Sequence, residues 1–125
     1  MSVLGELAAT EPELRAYAVE DPGAGRFAGA SLGAERVRVL EAVYEAYLLH
    51  YREPRVFQGL DDDLRLLAGD ALYADGLARL ARSGDLEAVA ELAELISRCA
   101  QAHAEGRGET VEALWSAGVA ALSRS

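Results

Sequence analysis

Apolar residues return every three or four positions along most of this chain, the spacing that lines one face of an α-helix. Thr10-Glu-Pro-Glu13 predicts a short first helix ending near Glu20, with Thr10 as its cap, Glu13 completing a capping box and Pro12 in the first turn. Asp21 to Gly29 holds three glycines and a proline in nine residues and reads as a loop. From about Gly33 to Arg52, Val37, Leu40, Val43, Tyr44, Tyr47, Leu48 and Tyr51 make one amphipathic stripe. Glu53-Pro54 ends it, because a residue before proline is pushed out of the helical region. Asp61 to Arg82 predicts a central helix with two apolar stripes, Leu64, Leu67, Ala71, Ala74, Ala78, Ala81 and Leu66, Tyr73, Leu77, Leu80. Such a helix is expected to be contacted on more than one side. Asp85 caps the next helix, Leu86 to about Ala104, with the stripe Val89, Leu92, Ala93, Ile96, Cys99, Ala100, His103. Gly106-Arg-Gly108 breaks it, and a last helix carries Val111, Leu114, Trp115, Val119 and Leu122.

Composition strengthens the helical reading. Of 125 residues, 25 are Ala and 19 Leu, against 12 Val, Ile and Thr together, so an all-β or α/β fold is nearly excluded. The expected fold is all-α, a single-domain bundle of about five helices over residues 1–125, with residues 1–32 a mobile arm plus one short helix. The formal charge of −9 would repel both the phosphate backbone of nucleic acid and an anionic membrane surface. No apolar run reaches the length of a membrane span, and Met1-Ser-Val-Leu-Gly-Glu6 lacks the basic and apolar regions of a signal peptide. With Cys99 the only cysteine, no internal disulfide can form, which fits a cytoplasmic setting.

Candidate chemistry is sparse. Asp61-Asp62-Asp63 could hold Mg²⁺ through carboxylate oxygens, but Arg65 and Leu66 stand one turn on, where a further ligand is needed. The triplet reads more simply as an acidic helix start. Cys99 and His103 are spaced i, i+4, as two metal ligands on one face would be, but a second pair is missing. Asp61, Asp62 and His103 are therefore weak metal candidates, and no metal or cofactor is expected. Asp70, between Leu66 and Tyr73, is expected to be a structural polar group paired with an arginine of a neighbouring helix or a phenol. His50, Tyr51 and Arg52 could together meet an anion, though such a cluster more often ends a helix. Nucleophile elbow, phosphate loop and dinucleotide fingerprint are all absent.

Leu66-Leu-Ala-Gly-Asp-Ala-Leu-Tyr-Ala-Asp-Gly-Leu-Ala-Arg-Leu-Ala81, with Ser83-Gly-Asp85 and the Ala/Leu/Ile helix after it, resembles the trans-polyprenyl diphosphate synthases. In that family a helix carrying Ala-Gly-Asp, then Leu and an aromatic or Leu, packs against the catalytic cavity. The resemblance covers roughly residues 60 to 105. It implies an isoprenoid-synthase-like helical half, with Asp70 a structural position rather than a metal ligand. What the family needs for catalysis is missing. Its first aspartate-rich motif belongs on the preceding helix, yet residues 33 to 52 contain no Asp, and Asp61-Asp62-Asp63 comes too late with the wrong spacing. The second such motif is not among the 125 residues. Three Mg²⁺ ions and a diphosphate could not be held by what remains.

The family includes heteromeric enzymes in which a small, non-catalytic helical subunit helps shape the product-length cavity of a catalytic large subunit. The resemblance implies such a small subunit, acting through a larger prenyl-synthase-like partner, or a stand-alone, truncated relative of it. Leu67, Ala71, Tyr73, Ala74, Leu77, Ala78 and Trp115 would then line the helix interface or an apolar tunnel. The alternative is a self-associating helical module, a homodimer with no enzymatic role that could bind an apolar ligand between such residues.

Overall fold

The computed structural model describes residues 2–124. Five α-helices and two short 3-10 helices make up their regular structure, with no strand among the described residues. The helices are α1 (Val3–Ala8), α2 (Ala34–Tyr51), α3 (Asp62–Arg82), α4 (Leu86–Ala104) and α5 (Val111–Ser123). No helix among the described residues is long and apolar enough to cross a membrane. The chain divides into two compact units, Met1–Arg79 and Leu80–Ser125, with the boundary inside α3.

The N-terminal segment departs from expectation. Its first helix is α1, capped by Ser2, whose hydroxyl accepts from the Gly5 N–H at 3.1 Å. Thr10 caps nothing; it follows α1, and its hydroxyl donates back to the Glu6 carbonyl at 3.2 Å. The segment expected as a helix to Glu20 is a 3-10 helix, Pro12–Tyr17. The stretch expected as a mobile arm packs inward in part. Leu4, Leu7 and Leu14 are buried in one cluster with Ala42, Ala46, Leu49, Val56, Phe57, Ala68 and Leu72. An isolated bridge between Ala18 and Phe57 fastens this segment to the loop after α2. There the Val19 N–H donates to the Val56 carbonyl and the Gln58 N–H to the Tyr17 carbonyl, each at 2.8 Å.

The central helix is α2, not α3. Arg38 to Val43, Glu45 and Ala46 to Leu49 are all buried, so α2 is covered almost all round. The apolar pattern hid this because three of the buried residues are charged. On α3 the buried residues are Ala68, Gly69, Leu72, Gly76 and Leu80, a single face at i, i+4 spacing. Both predicted stripes lie off that face, apart from Leu80. Glycine is the reason: the approach to α2 is closest where α3 has no side chain. A Cβ on Gly76 would meet Val43 at 3.2 Å and Val39 at 3.3 Å, and one on Gly69 would meet the Ala46 carbonyl at 3.2 Å.

In the second unit, Asp85 caps α4 by accepting from the Ala88 N–H at 3.3 Å. Gly84, at φ +78°, makes the turn before it, where the Asp85 N–H returns to the Leu80 carbonyl at 2.9 Å. The buried face of α4 is Ala88, Leu92, Leu95, Cys99 and Ala102; Ala93 and Ala100, expected on it, are exposed. It packs on Val111, Trp115, Gly118 and Leu122 of α5, with Gly118 leaving room for Leu95.

Candidate functional site

Two features of the first unit concentrate chemistry. The first is a buried charge centre on α2. Glu41 and Glu45, one turn apart, are 1% and 0% exposed. Arg55 spans them, with Nη1 donating to Glu41 and Nε to Glu45, each at 2.9 Å. The remaining acceptor capacity goes to backbone. Glu41 accepts from the Arg26 and Phe27 N–H groups at 3.2 and 2.9 Å, and Glu45 from those of Arg55 and Val56, each at 2.9 Å. Gly25 is required beside Glu41, since a Cβ there would lie 1.8 Å from its Oε2. Arg55 and Arg26 also lie over the Tyr44 ring, 4.9 and 4.7 Å from its centroid. Every carboxylate bond closes inward, so the centre pins the loops at 25–27 and 55–56 onto α2 rather than offering ligand positions.

The second feature is the joint between the end of α2 and the exposed face of α3. Asp61 caps α3, accepting from the Leu64 N–H at 2.8 Å, so the first aspartate of the triplet is a cap. Arg65 turns back onto α2. Its Nε donates to the Leu49 carbonyl at 3.0 Å, and its Nη2 reaches the Leu48 and Arg52 carbonyls, so a cation closes the negative end of that helix. His50 enters the space left by Gly69, where a Cβ would stand 2.3 Å from its ring. The ring lies edge-on to Tyr73 at 5.2 Å, and its Nε2 stands 3.3 Å from both the Leu66 carbonyl and Asp70 Oδ1. Asp70 is therefore not the buried carboxylate expected from its apolar neighbours. Its side chain is 71% exposed and its partner is a histidine, because it falls opposite the Ala68–Leu72–Gly76 face.

A groove of about 670 Å³ opens beside this joint, lined by Leu49 to Glu53, Asp62, Arg65 and Leu66. Leu66 and Leu67 are 52% and 65% exposed. Ala74 is exposed with them, and Ala71, Tyr73, Leu77 and Ala78 are half-buried. Trp115 belongs to the second unit and is 1% exposed, so it offers no surface. Cys99 is buried there, and burial pushes its thiol up to about 11, with Trp115 acting the other way. A neutral thiol makes a poor nucleophile or metal ligand. Among the described residues no group of three His, Cys, Asp or Glu side chains is placed to hold a metal.

Sequence reading missed the Glu41–Glu45–Arg55 centre. Two glutamates four apart inside an apolar helix were the available signal. It also missed Arg38, which is 7% exposed, with Nε and Nη1 lacking hydrogen-bond partners and Nη2 3.4 Å from the Thr10 hydroxyl. Burial pulls this guanidinium below its ordinary value and Arg79 adds to that, while Asp75, Glu6 and Glu35 act the other way. No known protein family, curated protein or solved structure matches the chain.

Proposed function

We propose that this chain is a non-catalytic helical interaction protein, the small subunit of a heteromeric trans-polyprenyl diphosphate synthase, which influences product length through contact with the catalytic chain. The observation that carries the interaction reading is the pair of exposed leucines, Leu66 and Leu67, beside the small residues Ala71, Ala74 and Ala78. Exposed aliphatic side chains grouped on one helix face are the usual mark of a contact surface. Small side chains next to them let a partner helix approach closely. The prenyl-synthase part rests on the likeness of residues 60 to 105, and the non-catalytic part on the lack of any Asp between residues 33 and 52.

The test is solution mass by light scattering, alone and with a purified catalytic polyprenyl diphosphate synthase from the same genome, followed by product analysis. A monomer that joins the synthase and shifts its chain-length distribution is the expected result. A stable homodimer that leaves mass and products unchanged would overturn it in favour of a self-associating module.

A further inference from the structure

The face of α3 that carries Leu66 and Leu67 also has a definite charge. At about 100° per residue, Asp63, Asp70 and Ala74 run up the middle of the exposed arc. Leu66 and Leu77 lie on one flank, and Leu67, Ala71 and Ala78 on the other. Asp63 and Asp70 are both exposed. Of the α3 arginines, Arg65 is committed to the α2 carbonyls and Arg79 to Asp75 at 3.3 Å and Glu35 at 3.8 Å, while Arg82 is the last residue of the helix, beyond this face. The face is thus aliphatic on both flanks and acidic along its centre. The adjoining groove repeats the pattern, with Tyr51 and Leu66 as apolar wall and Glu53 and Asp62 at its edge. Of its two arginines, Arg65 is spent on α2 and Arg52 donates to the Tyr47 hydroxyl at 3.4 Å.

Two copies of this chain meeting through the face would bring two pairs of like charges into one contact, which is unfavourable. A partner with cations at its centre would lose no such energy. Resting on the interaction reading above, we infer that the face docks an amphipathic helix of a partner protein whose aliphatic stripe carries arginine or lysine along its middle. The partner's aliphatic side chains cover Leu66, Leu67 and Ala71, and its cations meet Asp63 and Asp70.

The probes are two synthetic helical peptides with identical leucine stripes, one with arginine and one with glutamate along the centre, titrated against the full chain by fluorescence anisotropy. The arginine peptide is expected to bind at least about tenfold more tightly, with the gap narrowing as salt rises. Leu67→Ser should weaken arginine-peptide binding about tenfold through lost apolar burial, and Asp63→Asn about threefold with a flatter salt response. Glu87→Gln removes the same charge on α4 and should change nothing. Equal binding of the two peptides, no binding of either, or arginine-peptide binding indifferent to Leu67→Ser would overturn the inference, the last by showing attraction to the overall charge alone. A synthase that fails to associate, with Leu67-dependent arginine selectivity intact, would defeat the small-subunit reading and leave this one standing.

Discussion

Two neighbouring helices of the first unit invert the usual distribution of side chains. Inside, α2 buries Glu41 and Glu45; outside, α3 exposes Leu66 and Leu67. The inversions have opposite causes. Buried carboxylates persist when each oxygen is paired, and here Arg55 and four backbone N–H groups pair them. They hold the loops that bring Phe27, Val56 and Phe57 into the interior. Exposed leucines need no compensation to be tolerated, since each costs little in water, and they add nothing to the stability of the isolated chain. The comparison separates what folds the protein from what its surface offers.

The largest effect should come from breaking the buried side. Arg55→Met leaves two carboxylates inside without their cation and should cost about 3–5 kcal/mol, read as a lower urea midpoint. Replacing all three charges with apolar residues should not restore stability. The buried Phe27 and Val56 N–H groups would then lose their acceptors, and each unpaired buried donor costs about 1–3 kcal/mol. Full recovery in the triple variant would show that the centre is not needed to hold its loops.

Next come the two glycines that make room for polar side chains. Gly25→Ala drives a Cβ into a Glu41 carboxylate that Arg55 and two N–H groups hold in place. Gly69→Ala drives one into the His50 ring. Each should cost about 1–3 kcal/mol by overpacking, seen as a drop of several degrees in Tm. Gly69→Ala should also separate His50 from Asp70, observable in the His50 imidazole resonances.

These positions explain how much of the molecule was legible beforehand. The bounds of α2 to α4 and the cap at Asp85 could be read because they depend on local rules of spacing, proline and capping. Which face turned inward could not, because on α3 the closest packing is made by Gly69 and Gly76, which carry no hydrophobic signal. On α2 the same failure came from charge. Glu41 and Glu45 read as solvent positions until Arg55, fourteen residues beyond Glu41, is brought back onto them. The helix Val3–Ala8 was missed because six residues give too little periodicity to register.

In the second unit Cys99 supplies a smaller, pH-dependent effect. Its thiol ionises near 9 when exposed and near 11 in the fold. Below about pH 9 it is protonated in both states and stability does not depend on it. Between those values the unfolded chain releases its proton first, so stability falls as pH rises and the loss is complete above the folded value. Cys99→Ala should flatten the denaturation midpoint over that window. A thiol that reacts with iodoacetamide in the native chain as fast as in urea would contradict its burial.

The smallest effect on stability, and the sharpest on the comparison, belongs to Leu67→Ser. The side chain is 65% exposed, so the urea midpoint should move by no more than about 0.5 kcal/mol in equivalent stability. If the exposed side of α3 is a contact surface, the same change should abolish most association with a partner while the chain stays folded. A destabilisation above about 1 kcal/mol would mean that Leu67 supports the fold after all. The contrast between a buried charge that stabilises and an exposed leucine that does not would then fail on its second term.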